Sequence, residues 1–229
     1  TAAIDIGKMQ HLTGIADRLH QPLQPLEADL APLPPGGDAG HVQRLADIDV
    51  AQPRHDALIE QQRVRPIILV FELEADRDPE KYPRYFVDEL VPFIDGAYRT
   101  IDSPEGRIKI GNGGAGFISL YTALSHPETI GNVACQSSFY WALDREKMIN
   151  QLIDEVGYQP VRVYLNWGKY DIKRRNMDVE GLRERNSRLY DKLASLDYEI
   201  WGGELHAGHG WSSWKLQNDD IFELLAAQE

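Results

Sequence analysis

The sequence predicts an α/β protein with a mostly parallel sheet and helices on both faces. Residues 67–71 (I-I-L-V-F) form an uninterrupted apolar run, which is typical of a strand buried on both faces. From residue 64 onward, short apolar runs alternate with segments of helical periodicity. This alternation is typical of domains in which helices connect parallel strands.

The individual elements follow from apolar runs and periodicity. The segment 83–98 is predicted to be a helix because its apolar residues, such as Phe86, Leu90 and Ile94, recur at helical spacing. The predicted strands are residues 67–71, 107–110, 132–136, 161–165 and 198–201. The predicted helices are residues 83–98, 117–124, 182–196 and 213–227, with a glycine turn at 111–116 and loops at 137–141 and 168–171.

Residues 1–63 differ in amino-acid composition from the rest of the chain. They contain none of the aromatic residues and six of the thirteen prolines, so they are a poor source of core. Short helices are predicted at 4–19 and 42–48. We expect an atypical N-terminal segment over 1–63 and one domain over 64–229. The segment is either a variable extension of that domain or a stretch that is not native protein sequence, such as a frame-shifted translation.

Charge and composition restrict the partners. The formal net charge is −12 and the pI is about 5.0. Nucleic acids and anionic membranes favour a basic surface, so we expect neither as a partner. The single cysteine, Cys135, excludes an internal disulfide and is expected to be a buried, inert thiol. No apolar run approaches the roughly 20 residues of a membrane span, and no signal-peptide pattern is evident, so a cytoplasmic location is expected. Homo-oligomerisation is left open.

The glycine turn at 111–116 (G-N-G-G-A-G) permits two interpretations. It fits the dinucleotide-binding pattern G-x-G-x-x-G between a strand and a helix, which would place a pyrophosphate on the helix N-terminus. That pattern also needs a carboxylate at the end of the next strand, where this sequence has Cys135, Gln136 and Ser137. The second interpretation is a nucleophile elbow, G-x-S-x-G, which is also a strand–turn–helix.

Flanking motifs favour the elbow. The turn is followed by a helix and then by S-H-P at 125–127, and it is preceded by E-L-V-P-F-I-D at 89–95 and Y-R-T at 98–100. Together these resemble the Putative esterase family of the α/β-hydrolases, which includes enterochelin esterases, esterase D and mycolyltransferases. The family carries G-x-S-x-G-G at this turn. On that pattern Gly113 stands at the position of the nucleophilic serine, and Ala115 stands at a glycine position.

The resemblance extends to an acid and a base in the chain order of an α/β-hydrolase. The family places its triad carboxylate in a G-x-x-D turn, which matches G-K-Y-D at 168–171 and assigns Asp171. Its general base lies in a G-H-x-W motif with a tryptophan three residues on, which matches G-H-G-W at 208–211 and assigns His209. The resemblance implies an α/β-hydrolase-like fold, with Asp171 orienting His209.

The remaining site residues are the oxyanion donors and the aromatics. The backbone N–H of Gly114 would be one oxyanion donor. The family's other donor comes from a His-Gly loop, which residues 1–63 do not contain. Aromatic residues fall near the predicted site loops, and we expect Trp141 and Trp211 to contact a small-molecule substrate, although core packing is the commoner role of such residues. His206, His209 and nearby Glu204 lack a convincing further ligand, so neither a metal nor another cofactor is expected.

The resemblance implies a carboxylic-ester hydrolase of Ser-His-Asp type by ancestry. Glycine has no side-chain oxygen to attack an ester, so the chain as written is expected to turn over activated esters hardly at all. Gly113 is either an engineered inactivation, a natural loss that leaves a binding protein, or a sequence error. A non-catalytic ligand-binding protein and a nucleotide-binding protein that uses the 111–116 turn are the alternative functions.

Overall fold

A computed structural model describes residues 2–5, 56–71, 78–138, 143–171 and 181–227, with only the backbone described at 2–5 and 143. The chain divides into two compact units. The first comprises Thr1–Gln62 and Pro66–Ala75, and the second comprises Arg63–Arg65 and Asp76–Glu229. Each unit is described by itself. No helix in these described ranges is long and apolar enough to cross a membrane.

The first unit contains a two-stranded parallel sheet. Strand β1 (Ala2–Asp5) pairs with β2 (Ile68–Phe71). The predicted strand at 67–71 is therefore confirmed, although its side chains are half-buried rather than fully buried. The prediction of a helix starting at residue 4 is wrong at its start, because residues 4 and 5 pair with β2 and tertiary pairing overrides local preference. The rest of that helix, and the one predicted at 42–48, lie outside the described residues.

The second unit is built on a four-stranded parallel sheet in the order β3-β4-β5-β6. Its strands are β3 (Ile108–Asn112), β4 (Asn132–Gln136), β5 (Arg162–Tyr170) and β6 (Ile200–Gly208). Every residue of β4 is buried, as expected of a central strand. All four strands begin after residue 107, and the predicted domain boundary near residue 64 stays a prediction.

The last two strands extend well beyond their predicted ends. Strand β5 continues through Gly168 to Tyr170, past a register shift, and β6 continues to Gly208. The predicted loop at 168–171 is therefore mostly strand. Within the described part of the chain, strand β6 pairs with β5 alone, and its residues alternate between half-buried and exposed over much of its length. Its polar, glycine-containing sequence lacks the apolar run that identifies a central strand, because an edge strand needs less apolar surface.

Helices connect the strands and cover both sheet faces. They are α1 (Tyr82–Tyr85), α2 (Val91–Ala97), α3 (Gly114–Ser125), α4 (Leu143–Val156), α5 (Leu182–Ser195), α6 (Trp211–Trp214) and α7 (Asn218–Leu225). Ala134 packs with Ile221 and Leu225 of α7. The neighbouring Cys135 points to the opposite face, where its thiol contacts the carbonyl of Gly116 in α3. Helices therefore lie on both faces, as predicted.

The helix predicted at 83–98 is continuous but contains one wide turn. Between α1 and α2, Phe86–Leu90 forms a π-helical turn, in which the N–H of Val91 donates to the carbonyl of Phe86. Pro92 follows at once and has no N–H to donate. A wide turn relieves the clash between a proline ring and the carbonyl four residues earlier, so Pro92 gives a physical reason for the π turn.

Helix α4 was not predicted. Its sequence does carry the signal, because Met148, Ile149, Leu152 and Ile153 recur at helical spacing. Ile149 and Ile153 are buried in the core. The helix supplies the crossover that two adjacent parallel strands, β4 and β5, require.

Candidate functional site

The carboxyl ends of the four parallel strands bring together the residues singled out in the sequence. Gly113 follows β3, Ser137 follows β4, Asp171 follows β5 and His209 follows β6. Because parallel strands end at the same edge of a sheet, residues far apart in the chain meet there. The structure brings Gly113, Asp171 and His209 into one constellation, and their catalytic roles stay a prediction.

Gly113 occupies a sharp turn between β3 and α3. Its backbone angles are φ +53° and ψ −120°, a conformation that residues with a side chain rarely adopt. Its N–H donates to the carbonyl of Gln136 at 2.9 Å, and its carbonyl accepts from the N–H of Gly116 at 3.1 Å. The turn thus has the strained backbone expected of a nucleophile elbow, held by hydrogen bonds on both sides.

The residues around the turn must be small. A Cβ at Gly111 would lie 2.3 Å from the carbonyl oxygen of Ala115, and one at Gly116 would lie 2.1 Å from Ser138 Oγ. Both distances are far inside van der Waals contact. The two glycines therefore permit the close approach of strand and helix that the turn requires.

Gly113 itself has room for a side chain. A Cβ built there meets one atom within 4 Å, His209 Nε2, at 3.9 Å. A serine hydroxyl lies one bond beyond Cβ, so a rotamer pointing at the ring places it within hydrogen-bonding reach of Nε2. The Cβ position of Gly113 therefore faces the imidazole of His209.

The opposite edge of the imidazole faces a carboxylate. His209 Nδ1 lies 3.4 Å from Asp171 Oδ1, and the Asp171 side chain is 0% exposed. The carboxylate is held in place by the N–H of Gly168, which donates to Oδ2 at 2.9 Å. A carboxylate at Nδ1 orients the ring so that Nε2 faces the position of a nucleophile. A distance of 3.4 Å is looser than an ideal hydrogen bond, as is common for such pairs without a bound substrate.

Two further residues, which the sequence did not single out for the site's acid–base chemistry, support this pair. Ser137 Oγ donates to Asp171 Oδ1 at 3.2 Å and accepts from Trp214 Nε1 at 3.2 Å. The Trp214 ring meets the His209 ring edge-to-face, with centroids 4.8 Å apart. Ser137 has a positive φ of 49°, which is unusual for a residue with a side chain and marks a constrained turn at the end of β4. Ser137 and Trp214 thus link the acid to the base.

A cluster of amide side chains fastens the segment after His209 to the strand ends. Gln136 Nε2 donates to the carbonyl of Trp214 at 3.0 Å and to Gln217 Oε1 at 2.8 Å. Asn166 Nδ2 donates to the same Gln217 oxygen at 2.9 Å. Asn112 Nδ2 donates to Gln136 Oε1 at 2.5 Å. The carboxyl ends of β3, β4 and β5 are therefore tied to the helical turns that follow the histidine.

The structure describes some of the other predicted site residues and not others. Gly114 is the first residue of α3, where a backbone N–H has no acceptor within the helix, and its role as an oxyanion donor stays a prediction. Trp211 is 37% exposed and packs edge-to-face on Trp214. Trp141 lies outside the described residues. His206 pairs with the hydroxyl of Tyr170 at 2.8 Å, and the described segments contain no group of three or more residues able to hold a metal.

Cys135 is buried behind this site. Burial raises the pKa of its thiol to about 12, so it stays protonated at neutral pH. Thiolate, not thiol, is the nucleophile in cysteine chemistry. The expected burial of Cys135 is confirmed.

The chain is similar in sequence to a known protein family and to a bacterial relative. The family described as Putative esterase matches residues 68–223, more than half of the chain. The uncharacterized protein YjcH of Bacillus subtilis (strain 168) is 28% identical over 141 residues, covering 58% of this chain and 55% of that protein. The chain spans about half the length of that relative.

Solved structures share the fold at low sequence identity. An enterobactin esterase from Shigella flexneri, crystallised in the presence of 2,3-di-hydroxy-N-benzoyl-glycine, has a TM-score of 0.61 at 18% identity, covering 74% of this chain and 46% of that chain. A ferulic acid esterase has a TM-score of 0.56 at 16% identity, covering 82% of this chain and 77% of that chain. FphF, a fluorophosphonate-binding serine hydrolase of Staphylococcus aureus, has a TM-score of 0.54 at 12% identity, covering 70% of this chain and 72% of that chain.

Proposed function

Because the chain belongs to the Putative esterase family, we propose that it retains the elbow and the acid–base pair of a serine esterase but cannot form an acyl-enzyme. One observation carries the proposal. A glycine holds the elbow conformation, and the Cβ position of that glycine, Gly113, points at His209 Nε2 from 3.9 Å. In this proposal His209 and Asp171 are the pair that would activate a serine, and Gly113 lacks the serine oxygen.

The chemistry follows from the groups present. In a serine esterase the imidazole takes the hydroxyl proton, the oxygen attacks the ester carbon, and backbone N–H groups stabilise the oxyanion. In the proposal, the His209–Asp171 pair carries out the proton transfer and the N–H of Gly114, at the start of its helix, stabilises the oxyanion. Glycine supplies no attacking atom, so the covalent route stops before its first bond. In the serine protease subtilisin, removal of the nucleophile lowers the rate by about 10⁶-fold, which indicates the size of such a loss.

The ligand in this proposal is a small-molecule carboxylic ester. Two aromatic side chains near the site are well exposed, Trp211 at 37% and Tyr170 at 58%, and either can lie against an aromatic acyl group. The structural neighbours include esterases named for enterobactin and ferulic acid, and one was crystallised with a benzoyl compound. These names support an aromatic ester as the first class of ligand to test.

The decisive experiment restores the oxygen. We expect Gly113→Ser to raise hydrolysis of nitrophenyl acetate by several orders of magnitude and to make the protein react covalently with a fluorophosphonate, which labels activated serines. His209→Ala in the Gly113→Ser background should abolish both effects. The strained backbone should cost about 1–3 kcal/mol of stability, so the folding of the variant is checked by its thermal midpoint.

Gly157→Ser is the matched control. Gly157 also has a positive φ, +64°, and a Cβ there meets nothing within 4 Å. Gly157→Ser adds the same side chain at a position that also has a positive φ, away from His209, so it should give no gain in hydrolysis and no fluorophosphonate labelling. If a folded Gly113→Ser variant gains neither activity nor labelling, the elbow is not a functional nucleophile site and the proposal fails.

A further inference from the structure

We propose that His209 activates a water molecule directly, so that the chain as it stands hydrolyses activated esters slowly and without a covalent intermediate. The inference rests on the proposed function, because the ester must bind at the elbow. It goes beyond that function by assigning the site an activity of its own. The nucleophile becomes water, and Asp171 and His209 keep the tasks of orienting group and general base.

The first argument is steric. A Cβ built on Gly113 lies 3.9 Å from His209 Nε2, and apart from the chain neighbours of Gly113 it meets no other atom of the described residues within 4 Å. A serine at this position would place a methylene and a hydroxyl in that space, and a water molecule is smaller than the two together. A water oxygen can therefore lie where the serine oxygen would, within hydrogen-bonding distance of Nε2.

The second argument concerns the direction of the imidazole. Nδ1 is enclosed and lies 3.4 Å from the buried Asp171 carboxylate, while the side chain as a whole remains 11% exposed. The exposed part of the ring is thus not the Nδ1 edge. In a neutral imidazole whose Nδ1–H faces the acid, the lone pair that can take a proton is on Nε2, which faces the Cβ position of Gly113. The ring is held in that direction by the edge-to-face contact with Trp214.

The reaction balances with water as its only co-reactant. His209 Nε2 takes one proton from water while the water oxygen bonds to the ester carbon, and the carbonyl electron pair moves onto the carbonyl oxygen beside the N–H of Gly114. When that electron pair returns, the bond between carbon and the leaving-group oxygen breaks, and the leaving group takes the proton from His209. The products are an alcohol and a carboxylic acid, and the acid releases its proton to solvent.

The expected rate is modest. General-base catalysis by a positioned side chain contributes about 10²–10⁴-fold, and no covalent intermediate divides the barrier. Such a rate is measurable with an activated aryl ester, whose leaving group departs easily. It should remain far below the rate of Gly113→Ser.

The experiment measures steady-state hydrolysis of nitrophenyl acetate by the unmodified protein pretreated with a fluorophosphonate. We expect activity that survives this treatment, shows no burst of nitrophenol and is slower in D₂O. His209→Ala and His209→Gln should each lower it about 10²-fold or more, and Asp171→Asn should lower it as well. Using two histidine variants guards against one that fails to fold.

His126→Ala is the matched control. His126 is also a histidine beside a carboxylate, with Nδ1 3.0 Å from Glu128 Oε1, but it follows the far end of α3. Twelve helical residues separate the two ends by about 18 Å. This variant should retain the full activity of the unmodified protein.

The outcomes separate the two proposals. Hydrolysis at the uncatalysed rate, or hydrolysis equally fast in folded His209→Ala and His209→Gln, would overturn water activation even if Gly113→Ser gains activity. Sensitivity to the fluorophosphonate, or a burst, would also overturn it, because either reveals a serine nucleophile elsewhere. Failure of Gly113→Ser alone would count against the proposed function instead.

Discussion

The hydroxyl of Ser137 donates a hydrogen bond to Asp171 Oδ1 at 3.2 Å, on the same carboxylate oxygen that faces His209. Ser137 also accepts from Trp214 Nε1, and Trp214 packs against the imidazole. One serine therefore fixes the acid directly and the base through an aromatic ring. This relationship makes Ser137 a positioning residue rather than a catalytic one.

Ser137→Ala is expected to weaken catalysis without changing substrate affinity. In the Gly113→Ser background we expect kcat to fall about two- to tenfold, because a single hydrogen bond contributes about 0.5–1.5 kcal/mol, and KM to stay unchanged. Steady-state kinetics with nitrophenyl acetate measure both constants. The control is Ser195→Ala, since Ser195 is exposed and its hydroxyl donates to the carbonyl of Lys192 in its own helix. A rise in KM with constant kcat would assign Ser137 to ligand binding instead.

Gly116→Ala should destabilise the fold. Its new Cβ would lie 2.1 Å from Ser138 Oγ and 3.0 Å from the carbonyl oxygen of Gly111, so the turn must open. Overpacking of this kind typically costs about 1–3 kcal/mol, which corresponds to a fall of roughly 2–12 °C in the melting temperature of a protein this size. Differential scanning calorimetry measures the shift.

Gly96→Ala is the control for that prediction. Gly96 lies in α2, and a Cβ there meets nothing within 4 Å, so alanine should be neutral or stabilising by up to about 1 kcal/mol. Ser138→Ala combined with Gly116→Ala should recover part of the loss by removing the hydroxyl. If Gly116→Ala melts at the temperature of the unmodified protein, the close packing of α3 on the strand ends is wrong.

Cys135 should make the protein labile in alkali. Its thiol pKa is raised to about 12 by burial, against 9.0 for an ordinary thiol. Between pH 9 and about pH 12 the thiol is deprotonated in the unfolded chain but still protonated in the folded chain. The free energy of unfolding therefore falls as the pH rises through this range. Below pH 9 both states hold the proton and the thiol contributes no pH dependence.

Urea unfolding at pH 8, 9, 10 and 11 tests this prediction. We expect stability to fall less steeply in Cys135→Ala than in the unmodified protein above pH 9, although burial also raises the pKa of Tyr164 and Tyr198 and these residues add to the fall in both proteins. The thiol should also react with a disulfide reagent only after unfolding. Equal slopes in the two proteins, or fast labelling of the folded protein at pH 8, would contradict the burial of Cys135.

The sequence by itself determined the strands that are buried on both faces of the sheet. Strand β4 was predicted with its observed bounds because its apolar residues, Val133–Cys135, form the middle of a strand that is buried throughout. The far parts of β6, predicted only at 198–201, and of β5 were missed, since a strand at the sheet edge, or one that enters a site, carries polar residues and glycine. The π turn before Pro92 was missed because a wide turn keeps nearly the same apolar spacing as a helix.

The same division applies to the site. Local motifs and their order along the chain gave Gly113, Asp171 and His209, because each lies in a short pattern of its own. Only the tertiary structure shows that Ser137 bonds Trp214, since these residues are 77 positions apart and neither stands in a pattern that names the other. The reason is physical. Parallel strands bring their carboxyl ends to one edge whatever their separation in sequence, so the partners of a site residue are fixed by the order of the strands in the sheet.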